Sequence, residues 1–260
     1  KRQGLSAGYY LALMGHKVTI FEQRKQLGGM LRYGIPNYRL PRKKLDDEIV
    51  SILSTGIEVR KNVSVGVDVT IEELHKEYDA MYISIGAHAD KKMRIEGEDA
   101  KEGVTSAVEM LRVIGDDEMP DDTGKKVVVI GGGHAGAETA NHIASYMKNV
   151  TIVELQEDIA MDEVDTPRNG LLADLKKNGV RICTSTAVQE IKDHSVVVSG
   201  KVNEEIECDT VVISIGHTPN TALADELKNA GYDVRIIGDA VSVGLVGPAV
   251  RAGYLTARQI

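Results

Sequence analysis

The amino-acid sequence predicts an α/β chain that carries two copies of one βαβ unit, each a three-layer arrangement around a parallel sheet. Three observations predict it. A complete strand–turn–helix–strand stretch, VVVIGGGHAGAETANHIASYMKNVTIVE, runs from Val127 to Glu154. Its latter part reappears near the start as GLSAGYYLALMGHKVTIFE, from Gly4 to Glu22. A further strand closes each copy, as MYISIG at 81–86 and VVISIG at 211–216.

Along the chain, Gly4 opens a helix on which Tyr9, Tyr10 and Leu13 fall at helical spacing, and Thr19-Ile20-Phe21-Glu22 is the strand that follows. Glu22 follows Gly4 by 18 positions, as Glu154 follows Gly136, and both strands end in Thr-Ile-x-Glu. A lone glycine motif is weak. A glycine-to-acid spacing repeated 132 residues later is stronger, because chance matches multiply. In this register Lys1 stands where the complete copy has Gly133, so the first strand and first two glycines are expected upstream of Lys1. The basic run Arg39 to Lys44 is interrupted by Leu40 and Pro41 and reads as a loop and helix start. Gly86, like Gly216, ends an apolar strand where a backbone without a side chain can approach a ligand. The stretch GDDEMPDDTG, 115–124, is acidic and turn-rich and reads as a loop.

Val127–Ile130 is an uninterrupted apolar run, as a buried parallel strand requires. Gly131-Gly132-Gly133-His134-Ala135-Gly136 follows and matches GxGxxG. Gly131 permits the tight turn, Gly133 lets the backbone approach a pyrophosphate, and Gly136 lets helix and strand pack closely. The helix from about Ala135 to Met147 offers its first N–H groups and its positive dipole end to an anion. Gly131, Gly133, His134, Ala135 and Gly136 are therefore candidate pyrophosphate contacts, and Glu154 a candidate acceptor for adenosine ribose hydroxyls. A carboxylate there repels a 2′-phosphate, and Leu155 and Gln156 supply no cation, so NADH is expected rather than NADPH. The fold class is thus two Rossmann-like three-layer domains.

Composition limits the partners. Lys and Arg total 31 against 39 Asp and Glu, a net charge of −8, which disfavours nucleic acid. No apolar run reaches the roughly 20 residues of a membrane helix. Cys183 and Cys208 form neither a CxxC pair nor a metal-ligand spacing, so buried thiols and a cytoplasmic setting are expected. His134, His88 and His217 stand beside the glycine turns and are expected to hydrogen-bond rather than to catalyse.

GGMLRYGIPNYRLP at 28–41 resembles the GGLLRYGIPxFRLP segment of the two-dinucleotide flavoprotein reductases, in particular the group of the glutamate synthase small (beta) subunit. That group includes the ferredoxin:NADP oxidoreductase large subunit and the flavin part of dihydropyrimidine dehydrogenase. GAHADKKMRIEGED at 86–99 resembles the group's GxxxxxxLxIPGED. From about Gly131 to Ile260 the chain is more similar to the flavin- and NAD-binding part of 2,4-dienoyl-CoA reductases.

The resemblance implies an NAD(P) domain, about 98–216, inserted into an FAD domain made of 1–97 and 217–260. It implies that Glu22 holds the FAD ribose and that Gly28, Gly29 and Met30 line the flavin side. Arg39 helps hold FAD, and Gly238 and Asp239 reach its phosphate–ribityl region. A helix starting near Pro248 points its N-terminus at the flavin ring. The implied activity is hydride transfer between a nicotinamide and FAD, with no acid–base residue and no metal required. The implied electron partner is an iron–sulfur or flavin domain or subunit, since two separated cysteines make neither a redox disulfide nor a cluster site. The basic run at 39–44 is a candidate docking patch for an acidic partner. The alternative is a truncated module that binds NADH without turnover.

Overall fold

The computed structural model describes residues 2–86, 89–116, 125–146, 149–219, 221–244 and 246–260. His88, Met147 and most of the acidic stretch at 115–124 lie outside the described residues. The chain divides into two units, 90–216 in one and 1–89 with 217–260 in the other, so it passes between them twice.

In the unit of residues 90–216, five parallel strands lie in the order Val104–Ser106, Thr210–Ile213, Val127–Ile130, Val150–Val153, Arg181–Cys183. Val127–Ile130 is buried along its whole length, because it is the central strand and both faces are covered. Successive side chains alternate in direction. Val127 and Val129 join Ile152 and Val212 in a core with Ala137, Ala140, Ile143, Leu171 and Leu175 of the helices His134–Ala144 and Asp165–Lys177. Val128 and Ile130 join Val153 and Val211 in a second core with Ile191, Val196, Val198 and Ile206. Those last four belong to an antiparallel sheet of Thr186–Lys192, Ser195–Gly200 and Glu204–Glu207. The three layers are helices, parallel sheet and antiparallel sheet; the fold class predicts three layers around a parallel sheet, but not that one of them is an antiparallel sheet.

In the other unit, helix Arg2–Leu13 leads to strand Thr19–Glu22, which pairs in parallel with Glu58–Lys61 across helix Arg42–Leu53. Leu5, Leu27, Leu31, Leu45 and Ile49 form its core. Helix Arg2–Leu13 packs on the final helix Val246–Ala257 through Ala7, Leu11 and Ala257. The approach is close: a Cβ on Gly253 would lie 2.6 Å from the Gln3 carbonyl oxygen.

One expected element differs. The two ISIG stretches are alike in sequence, and only the later one continues a strand, which ends at Ile213. Thr210–Ile213 is hydrogen-bonded on both sides, by Val104–Ser106 and Val127–Ile130. Met81–Gly86 has no regular structure and no neighbouring strand among the described residues, and Ile83 and Ile85 are exposed. A strand is defined by its partner's hydrogen bonds as much as by its own side chains, so the buried strand expected there is absent.

Candidate functional site

The glycine turn after Val127–Ile130 is built on steric necessity. Gly131 has φ +97°, a left-handed value that favours glycine, and a Cβ on it would lie 2.3 Å from the Ser214 carbonyl oxygen. A Cβ on Gly136 would lie 1.9 Å from the Gly131 carbonyl oxygen and 3.2 Å from the Ser214 Cβ. A Cβ on Gly132, 2.6 Å from Ile159 Cγ2, would collide with that side chain. Gly133 differs: among the described residues, the atoms within 4 Å of its notional Cβ are the two Asp162 carboxylate oxygens, each 3.9 Å away. The helix starts at His134, with Ala135 in its first turn and Gly133 as its N-cap without a side-chain bond.

Glu154, directly after strand Val150–Val153, is buried and faces the turn. Its Oε1 accepts from Gln156 N–H at 2.6 Å, and its Oε2 accepts from Gly132 N–H. Its main chain donates to the Cys183 carbonyl at 2.9 Å and accepts from Thr186 N–H at 3.0 Å. Backbone donors thus hold the carboxylate at the sheet's edge as an acceptor beside the turn.

Glu22 has matching surroundings in the other unit. It ends strand Thr19–Glu22 and is 3% exposed, against 8% for Glu154. Its Oε1 accepts from Arg24 N–H, two residues on, at 3.0 Å, and its carbonyl accepts from Val63 N–H at 3.1 Å. Gly4 has the matching contact too. Its notional Cβ lies 3.1 Å from the Cβ of Ser84, the serine of the first ISIG, as that of Gly136 meets Ser214.

The other expected residues have the following local settings. Gly238, with φ +63°, would place a Cβ 2.6 Å from the Gln3 side chain on helix Arg2–Leu13. Asp239 Oδ1 accepts from Gly244 N–H at 3.2 Å. Pro248 lies in the first turn of Val246–Ala257 and is exposed. Gly28 and Gly29 have φ of +125° and +53°, and Gly29 caps the short helix Met30–Tyr33, where Met30 is exposed. Gly86 ends the irregular 81–86 stretch; Gly216, at φ +95°, accepts from Lys91 N–H at 2.9 Å.

Two arginines that sequence reasoning missed shape the 28–41 segment. Arg32 is buried, donates to the Leu27 carbonyl at 2.7 Å and pairs with Asp46. Arg42 donates to the carbonyls of Leu31 at 3.2 Å and Ile35 at 3.0 Å. Arg39, by contrast, is exposed on the turn after Pro36. Within the basic run, then, Arg42 faces inward, and Lys43 pairs with Asp47 along the helix at 3.1 Å.

The segment after Glu154 also went unread. Ile159 and Ala160 are buried against the turn, with Ala160 N–H donating to the Gly132 carbonyl at 2.7 Å. Arg168 fastens this loop by pairing with Asp158 and donating to the Ile159 carbonyl at 3.1 Å. The Ile159 N–H bond, helped by Arg168, holds the Asp158 carboxyl below its ordinary range. Asp162 Oδ1 accepts from His134 N–H at 2.7 Å. The His134 ring lies between Glu163, at 2.8 Å, and Glu138, at 3.2 Å. A run of acidic residues after Glu154 was the available signal, but only the fold brings it back over the turn.

Cys183 and Cys208 are both buried, and neither forms a disulfide. Burial pushes both thiols up, that of Cys208 to about 11, so neither is a ready thiolate at neutral pH. Among the described residues no helix is long and apolar enough to cross a membrane.

Comparison with known proteins gives a consistent picture. Residues 4–240 match the family model described as pyridine nucleotide-disulphide oxidoreductase. The NADH oxidase of Thermoanaerobacter brockii is 33% identical over 99% of the chain and 39% of its own length. The small chain of glutamate synthase (NADPH) from Mycobacterium tuberculosis is 42% identical over 52% of the chain and 30% of its own length. Among solved structures, a 2-naphthoyl-CoA reductase complex with 2-naphthoyl-CoA superposes with a TM-score of 0.83 at 26% identity, over 100% of the chain and 38% of the other. The chain thus spans two fifths or less of the length of each.

Proposed function

The chain belongs to the pyridine nucleotide-disulphide oxidoreductase family, and from that premise we propose that it is an FAD-dependent oxidoreductase module that takes hydride from NADH. The observation that carries this reading is the matched pair of buried carboxylates, Glu22 and Glu154, each ending a parallel strand and each accepting from the N–H two residues on. In the unit of residues 90–216 Gly131–Gly133 carries no side chains, a helix begins directly after Gly133, and an acceptor lies at Glu154. These features suit the pyrophosphate and adenosine ribose of a nicotinamide dinucleotide. Glu154 favours NADH, because its buried charge opposes a 2′-phosphate and accepts from a free hydroxyl.

The other unit has the features of an FAD holder: Glu22 for the ribose, the Gly4–Ser84 contact, and Gly238 against Gln3. Gly28, Gly29 and Met30 serve the flavin side, and Asp239 and the helix start near Pro248 its ribityl and ring ends. When both cofactors are bound, the flavin supplies the hydride-accepting chemistry. The protein's residues position the two dinucleotides. Two buried, separated cysteines offer no local disulfide acceptor, so the electrons pass to an iron–sulfur or flavin centre in another domain or subunit. Relatives described as a small chain of glutamate synthase and as subunit beta of an NADPH-Fe(3+) oxidoreductase support that placement.

The purified protein is expected to be yellow and to lose its flavin colour on anaerobic addition of NADH. A protein that stays colourless after FAD is supplied, yet still binds NADH, is a binding module without turnover and overturns the oxidoreductase reading.

A further inference from the structure

The seat that a pyrophosphate would take at the glycine turn is already held by an anion of the chain. Helix His134–Ala144 begins with no capping bond from its own N-cap, Gly133. The first N–H of the helix, that of His134, donates instead to Asp162 Oδ1 at 2.7 Å. Both oxygens of that carboxylate lie 3.9 Å from the position a Cβ on Gly133 would take, where the missing side chain leaves room for a phosphate. The neighbouring Glu163 holds the His134 ring at 2.8 Å. Two consecutive acidic residues are therefore fastened to the first residue of the helix.

The loop changes from buried to exposed within two residues. Ile159 and Ala160 are 1% and 0% exposed and fixed to the turn, whereas Met161 and Asp162 are exposed. The change falls at Ala160, which has φ +50°, a left-handed value that a residue with a Cβ adopts at a cost. The buried anchor and the exposed carboxylate are thus adjacent in the chain.

We propose that Asp162 is an internal competitor for the pyrophosphate at the Gly131–Gly136 turn, and that it sets the affinity of this site for phosphate-bearing ligands. The inference rests on the reading of that turn as the dinucleotide seat. A ligand with phosphates must displace the carboxylate from the His134 N–H and move residues 161–163 away. A ligand without phosphates leaves the contact intact. The competition therefore weakens NADH and ADP-ribose by a common factor and leaves adenosine untouched.

Asp162→Ala and Asp162→Asn test this, by calorimetric titration with NADH, ADP-ribose and adenosine. Asn keeps the shape and the acceptor oxygen while removing the charge, so it remains informative if the alanine variant folds poorly. NADH and ADP-ribose are expected to bind about threefold to tenfold more tightly to the alanine variant, with Asn in between. Adenosine affinity stays the same, and the melting temperature falls because a helix cap is lost. A capping role alone lowers the melting temperature without any gain in binding. If the unaltered protein binds NADH and both variants bind it equally or more weakly, the competition is refuted. Adenosine tightening in step with NADH also refutes it, since that indicates a general loosening of the site. Absence of NADH binding in the unaltered protein and both variants removes the dinucleotide seat itself, and the competitor with it.

Discussion

Gly136→Ala is expected to abolish NADH binding and to lower stability by about 3 kcal/mol. The added methyl group would lie 1.9 Å from the Gly131 carbonyl oxygen, a main-chain atom with no rotamer to change. Gly131 has little freedom to yield. Its φ is +97°, its N–H donates to the Val153 carbonyl at 2.9 Å, and its own Cβ position is closed by the Ser214 carbonyl. The helix must therefore move off the sheet, taking its N-terminal N–H groups away from the ligand. Gly170→Ala is the control. Gly170 lies inside helix Asp165–Lys177, and among the described residues nothing beyond its own helix backbone and chain neighbours comes within 4 Å of its notional Cβ, so alanine there is expected to stabilise by about 0.5–1 kcal/mol. Urea denaturation and NADH titration of the two variants check both statements. A Gly136→Ala protein with unchanged stability and affinity contradicts the packing account.

Glu154→Arg is expected to weaken NADH about tenfold to a hundredfold and to reverse the preference toward NADPH. The substitution removes an acceptor for the ribose hydroxyls and supplies a cation for a 2′-phosphate. It also removes the acceptor of the Gly132 and Gln156 N–H groups, so some loss is common to both nucleotides. The informative quantity is therefore the ratio of the two affinities. Glu154→Gln separates the effects, because it keeps an acceptor oxygen, loses the negative charge and adds no cation. Dissociation constants for NADH and NADPH across the three proteins provide the check. An unchanged ratio in Glu154→Arg means that the side chain does not meet the ribose.

Much of the fold was legible because the chain repeats itself. Val127–Ile130, the glycine turn and Val150–Val153 fall where the apolar run and glycine spacing place them, since a central parallel strand needs unbroken burial. The family was legible in the 28–41 segment, and the match over residues 4–240 agrees with it. The repeat also extends to contacts that spacing alone does not specify, such as Gly4 on Ser84 and Gly136 on Ser214.

Other features depend on partners that a sequence does not display. Met81–Gly86 and Val211–Gly216 share four letters, yet only the stretch with strands on both sides is a strand. The antiparallel sheet at 186–207 follows no repeated motif, and its inward residues are known as such only once the parallel sheet lies beneath them. Arg32 looks like a surface cation in sequence and is buried, because the Leu27 carbonyl and Asp46 take its donors. Asp162 is separated by 28 residues from the N–H that it caps, so its place at the turn is a property of the folded loop.

We propose that one chain holds two equivalent adenosine-binding frames, that of Glu22 for the flavin dinucleotide and that of Glu154 for the nicotinamide dinucleotide. The most direct test measures flavin content and NADH affinity in Glu22→Gln and Glu154→Gln side by side. A crossed result is expected: Glu22→Gln loses flavin and keeps its NADH affinity, while Glu154→Gln keeps its flavin and binds NADH weakly. Loss of the same ligand from both variants, or of neither ligand from either, contradicts it.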